Sequence, residues 1–344
     1  MSVTEPAAYR AIALQTATHA VNGLGAADAR AAIMAAIDRI AAQVRGVVSW
    51  YGGDTRLVVL PEYALTGFPM GDAIEAWAAK ACLAPDGPEY ERIAAIAQRE
   101  SVYLAVNAYE TDRHYPGLYF QGSVVFAPNG DTVLRYRRLH SLYSPSPFDV
   151  WDTYLDHYGL DGVLPVARTP IGNLAALASE EILYPELARS LAMRGAEVFV
   201  HSTSEAVSPD GTPKEFARRS RAVENLAVVV TANSGGLPGI PIPADSTNGH
   251  SEIVNHLGHS LSRAGFGESS AAAEVDLAAL RRERRRPAMS NLLARVKTGL
   301  WAQEYARFEI EVPNGLSDAH AERSFFAARH RATIERLRSS GVIS

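Results

Sequence analysis

Residues 56–69 read RLVVLPEYALTGFP. The apolar run Leu57, Val58, Val59 and Leu60 has no alternation, the pattern of a strand buried on both faces of a parallel sheet. Pro61 cannot continue a central ladder, so the strand ends there and the next residue, Glu62, stands just beyond its carboxyl end. Ligands and chemistry collect at that end of parallel strands. Glu62 is flanked by Pro61, Tyr63, Leu65 and Phe68, and a desolvated carboxylate in such company is a better base than one in water. A helix cap or a loop carboxylate is the plainer reading of the same residue.

Outward from this stretch the chain alternates strand-like and helix-like segments, which predicts a layered α/β domain. Residues 11–15 (AIALQ) read as a strand and 26–40 as an alanine-rich helix. A helix over 88–99 and a strand over 102–110 follow. Residues 123–127 and 132–137 flank Pro128-Asn129-Gly130-Asp131, a turn signal that makes them an antiparallel hairpin. Residues 142–162 read as a long polar and aromatic loop, a candidate lid, with Tyr143, Trp151 and Tyr154 as a candidate aromatic wall. The alternation resumes with a strand at 171–179, a helix from Pro185 capped near Gly195, a strand at 197–203, a helix at 213–225 and a strand at 226–233. Residues 250–255 and 260–264 form a second expected hairpin.

The chain has 344 residues, 47% of them hydrophobic, a net charge of −5 and a pI near 6.1. That suits a folded domain with a sizeable core and gives no general attraction to nucleic acid or to an anionic membrane. No run approaches the roughly 18 to 20 apolar residues of a membrane span, and the opening MSVTEPAAYR has no leader pattern. The single cysteine, Cys82, fits a reducing cytoplasm and reads as a small core residue.

Two further segments carry chemistry. VLRYRRLHSLY (133–143) places Arg135, Arg137 and Arg138 at the end of the hairpin strand, and NLAALASEEILYPELAR (173–189) delivers Ser179 to the end of an apolar strand, shortly before Pro185 starts a helix. A small reactive side chain at a strand-to-helix turn has the geometry of a nucleophile elbow, though the flanking glycines of G-x-S-x-G are missing.

Taken together, the three segments resemble the nitrilase superfamily of carbon–nitrogen hydrolases over roughly residues 8–310. VVLPEYALTGFP resembles the segment that supplies the family's catalytic glutamate, YRRLH the Y-R-K-x-H that supplies its lysine, and ALASEEILYPELAR the segment of its cysteine nucleophile. RGAEVFVHSTSE, TANSGG and GHSEIVNHLGHSLSRAG agree further on. The resemblance implies a four-layer α-β-β-α sandwich, a homodimer or higher homo-oligomer, a small-molecule substrate and no cofactor or metal, with residues 311–344 a helical extension suited to a subunit contact. It assigns the general base to Glu62 and puts Arg138 and Ser179 where the family has Lys and Cys. Tyr136, Glu180, His201 and Glu205 are the associated candidates for substrate binding or the oxyanion site.

The two departures leave three readings open. A serine hydroxyl is far less acidic than a thiol and needs a strong, aligned base. Arg138 keeps a positive charge but cannot give up a proton, and its fork can pair with Glu62 and blunt it. The chain is then an active hydrolase of a small amide, nitrile or carbamoyl compound using Ser179, or an inactive homologue serving as a binding or assembly partner, or an acid–base enzyme in which Glu62 and Glu180 act without a covalent intermediate. The spacing of His250, His256 and His259 fits no common metal site, and the run RRERRR (281–286) reads as a solvated helix face or an edge contact.

Overall fold

The structure of the chain is a computed structural model that describes residues 7–308, 310–316 and 321–344. The first six residues, part of the stretch read for a leader, and residues 317–320 of the C-terminal extension lie outside the described residues.

Two six-stranded mixed sheets stack face to face between helices. The first holds β1 (Tyr9–Gln15), β2 (Thr55–Val59), β3 (Tyr103–Thr111), β4 (Tyr119–Phe126) and β5 (Thr132–Arg137) in that order, with β12 (Ser269–Val275) outside β1. The second runs β6 (Ala167–Thr169), β7 (Gly172–Ala178), β8 (Val198–Ser202), β9 (Val228–Ala232), β10 (Glu252–Val254) and β11 (Ser260–Arg263). β1, β2 and β3 are mutually parallel, as are β7, β8 and β9. The helices that matter here are α1 (Ala26–Tyr51), α2 (Ile74–Ala81), α3 (Pro88–Glu100), α4 (Trp151–Val163), α5 (Pro185–Met193), α6 (Pro213–Asn225), α7 (Leu277–Arg285), α8 (Thr298–Tyr305) and α9 (Arg323–Ser339).

Side chains on a strand alternate between faces, and β1 shows what this achieves. Ala11 and Ala13 point into the core between the sheets, while Ile12 and Leu14 join Ile33, Ile37 and Ile40 of α1 in the outer layer. β2 is central and buried on both sides, which is why residues 57–60 carry no polar alternation. The Asn129-Gly130 turn closes an antiparallel β4–β5 pair with Gly130 at φ +88°, and β10 pairs antiparallel with β11. α6 spans residues 213–225, as the sequence predicts, and Cys82 is buried.

One expectation needs correction, and one strand was not foreseen. Residues 151–163 form α4 where a loop was expected: Tyr154 packs on Tyr115 and Phe120 and lies four residues before Tyr158, so one helical face is apolar. Gly159, at φ +62°, interrupts the helix and hides its period. β12, SSAAAEV, escaped notice because alanine favours helix over strand. The arginine run ends α7 and makes the edge contact that was one of its two expected readings, with Arg281 on Glu197 at 2.7 Å and Arg284 donating to the carbonyls of Leu226 and Asn225. α9 packs back on its own chain, where Arg329 pairs with Asp149.

Candidate active site

Each sheet contributes a strand end to one cleft of about 490 Å³, lined among others by Glu62, Arg138, Ser179, Glu180 and Lys214. From the first sheet, the chain leaves β2 at Pro61 and turns across the sandwich. Glu62 N–H donates to the Thr203 carbonyl at 3.3 Å, and Ser202 Oγ to the Leu60 carbonyl at 2.8 Å, so this turn is stitched to the end of β8. Gly67, at φ +71°, completes it; a Cβ there would lie 2.9 Å from Ala20 Cβ. Glu62 is 3% exposed. Its Oε1 accepts from Gln121 Nε2 at 2.8 Å and from Arg138 Nη1 at 3.2 Å. Gln121 also donates to Asn107 Oδ1 at 2.9 Å, and that same oxygen accepts from Tyr63 N–H at 3.1 Å.

Arg138 follows β5 directly. Its Nε donates to the His140 carbonyl at 2.6 Å, Nη1 to Gln121 Oε1 at 2.7 Å, and Nη2 pairs with Glu180. The expected two-pronged clamp on Glu62 is therefore a single contact, because the rest of the fork is engaged elsewhere.

From the second sheet, Ser179 directly follows β7 at φ +54°, a left-handed conformation that costs a residue with a Cβ about 1 kcal/mol or more. His201 holds it there: Nε2 meets the Ser179 carbonyl at 2.9 Å, and Nδ1 meets Thr231 Oγ1 at 3.0 Å. Burial pushes the His201 imidazole well below the usual histidine range. Glu181 fastens the elbow to the first sheet. Its carboxylate accepts from Leu139 N–H at 2.8 Å, His140 N–H at 3.0 Å and the Tyr136 hydroxyl at 2.7 Å.

Several sequence-predicted site residues thus stand behind the cleft. Tyr136 points into the core between the sheets, since its neighbours Arg135 and Arg137 face Glu110 and Asp112 on the other side. His201 is fully buried and touches backbone, not the opening. Glu205 is buried on Arg218 and accepts from Thr212 Oγ1 at 2.8 Å. Of the expected aromatic wall only Tyr143 lines the cleft; Tyr154 is buried under α4 and Trp151 packs on Phe148. Among the described residues no group of three or more His, Cys, Asp or Glu is arranged to hold a metal ion.

Sequence reasoning missed Gln121, Asn107 and above all Lys214. Lys214 sits in the first turn of α6, and its Nζ lies 3.0 Å from Ser179 Oγ and 3.0 Å from Thr203 Oγ1. Burial lowers its pKa and the Arg138 charge acts the same way, while Glu62 opposes both. The one hint in the sequence is scarcity: the chain has three lysines (Lys80, Lys214, Lys297) among 33 basic residues.

The site therefore assembles a hydroxyl, an amine, a carboxylate and a fixed cation. The family model described as "Carbon-nitrogen hydrolase" matches residues 15–285. A protein described as a hydrolase in the pqqF 5′ region of Pseudomonas protegens is 30% identical over 224 residues, 65% of this chain and 69% of that protein. A formamidase of Bacillus cereus is 28% identical over 218 residues, 62% of this chain but only 60% of its own length. The solved structure of Nit3 from Saccharomyces cerevisiae, a member of the nitrilase superfamily, superposes with a TM-score of 0.65 at 18% identity, covering 82% of this chain and 95% of that one. With about four of every five residues inside the matched span and the two-sheet sandwich in common, the chain belongs to the carbon–nitrogen hydrolase family, hydrolases that act on C–N bonds.

Proposed function

We propose that this chain hydrolyses a small non-peptide amide, or a related nitrile or carbamoyl compound, through a covalent intermediate on Ser179. The convergence of Ser179, Glu62 and Arg138 on one solvent-connected cleft carries the reading. A cleft of about 490 Å³ takes a small molecule and not a folded protein, and relatives named formamidase favour an amide. For an amide, Ser179 Oγ bonds to the carbonyl carbon and the carbonyl electrons move onto oxygen. That charge develops beside the Glu180 backbone N–H and the Arg138 guanidinium. Collapse breaks the C–N bond, the amine leaves with a proton, and water cleaves the resulting ester to release the acid and restore the hydroxyl. Glu62 is the carboxylate that takes the proton of that water.

The test is ammonia release from a panel of small amides, nitriles and carbamoyl compounds. Ser179→Ala is expected to lower kcat by at least about 10³-fold, with Ser179→Cys active. An unchanged rate in Ser179→Ala removes the reading.

A second reading has one observation in its favour. Arg138 touches both Glu62 and Glu180, which fits a pocket that binds without turnover. Calorimetric binding of a panel compound with no release of ammonia would support it. The same shared guanidinium counts against Glu62 and Glu180 working as a free acid–base pair.

A further inference from the structure

We propose that Lys214 is the general base that takes the Ser179 proton, so that α6 supplies the amine function lost at position 138. The inference rests on Ser179 being the nucleophile. Its geometry is direct, since Nζ stands 3.0 Å from the reacting oxygen, inside the range a base needs, and Thr203 Oγ1 at 3.0 Å gives it a second anchor. The other candidates are placed less directly: Arg138 cannot lose a proton, Glu62 Oε1 is held by Gln121 and Arg138, and His201 faces the Ser179 carbonyl, not its hydroxyl.

The surroundings favour a neutral amine. Lys214 occupies the second residue of α6, where the helix dipole presents its positive end and a cation is unfavourable. Burial lowers the Lys214 pKa, Glu62 opposes it, and Arg138 acts with the burial, leaving the value below the usual lysine range. The other charged or titratable groups on the cleft are Glu62, Glu180, Tyr63, Tyr109, Tyr143 and Arg323, with His201 behind Ser179. A lysine in the first turn contradicts the local preference for acidic residues there, and such contradictions concentrate at functional sites. The position is rigidly set. Thr212 and Glu215 cap α6 reciprocally, and Glu205 ties Thr212 to Arg218, which makes the buried Glu205 a positioning residue.

In the step itself, the Ser179 O–H bond breaks as Oγ bonds to the substrate carbon, and the proton passes to the Lys214 lone pair. The resulting ammonium protonates the leaving nitrogen as the C–N bond breaks. Glu62 then takes the proton of the water that cleaves the ester, and that proton returns to Ser179 Oγ as the C–O bond breaks, which restores the hydroxyl beside a neutral Lys214.

The experiment has two readouts on the intact chain. One is kcat/KM for the amide the panel identifies; the other is the rate at which a fluorophosphonate labels Ser179, followed by peptide mass mapping from pH 6 to 10, which needs no known substrate. Lys214→Met and Lys214→Arg should each lower both by about 10²- to 10⁴-fold and abolish the rise of labelling with pH. Lys214→Cys treated with 2-bromoethylamine, which rebuilds an amine at that position, should recover at least a tenth of the labelling rate. Labelling of Ser179 in Lys214→Met within threefold of the wild type overturns the assignment, as does failure of the wild type to label at any pH. Lys214-dependent labelling without turnover of any amide would instead uphold the dyad and remove the proposed hydrolysis.

Discussion

Ser179 holds a backbone conformation that only glycine adopts freely, and the molecule secures it with buried groups. His201 is the clearest of these. Its pKa is depressed by burial, so it stays neutral in the folded chain, whereas the unfolded chain takes up a proton near pH 6.5. Below that pH the unfolded state binds more protons, and stability falls as pH falls. Replacing His201 by Gln removes this dependence while keeping a hydrogen-bonding side chain. Urea unfolding at pH 7.5 and 5.5 should show the wild type losing about 1.4 kcal/mol more than His201→Gln. A difference below about 0.3 kcal/mol would mean that the imidazole is protonated in place. In the proposed chemistry Arg138 and Lys214 have separate tasks: a fixed charge that braces Glu62 and an amine that takes the Ser179 proton.

Among the elements, α6 has the largest consequence for chemistry, since its first turn carries Lys214. Thr212 accepts from Glu215 N–H at 3.2 Å and donates to Glu205. Thr212→Ala should cost about 1 kcal/mol in urea unfolding, with Thr212→Ser close to the wild type; equal stability of Ala and wild type would contradict the cap. α6 itself was legible from its Pro213 start and amphipathic run, as were β2 from its apolar residues and the elbow from the β7-to-Pro185 pattern. Lys214 was not, because the contact with Ser179 spans 35 residues and depends on how α6 docks on the turn after β7. The positions of Glu62, Arg138 and Ser179 were legible as motifs, but the direction of each side chain was not. Tyr136 and Glu205 are adjacent in sequence to the cleft and turned away from it, a choice made by strand register and by Glu181 and Arg218 as partners.

For the whole molecule, the site depends on how the two sheets stack. Glu62 and Arg138 come from the end of the first sheet, Ser179 from the second and Lys214 from α6, and the bonds from Tyr136 to Glu181 and from Ser202 to Leu60 cross between the sheets. The far end of the chain returns to the same place: Arg323 of α9 lines the cleft and donates to the Tyr143 carbonyl at 2.8 Å. No described helix is long and apolar enough to cross a membrane. Since groups from both sheets must act on one substrate carbon, the most direct measurement is the location of the covalent intermediate. A short-chain p-nitrophenyl ester acylates fast, so rapid mixing followed by acid quench and peptide mapping can catch it. The account predicts a burst of p-nitrophenolate stoichiometric with protein and the acyl group on Ser179. A burst with the acyl group on another residue, or no burst and no adduct, would contradict it.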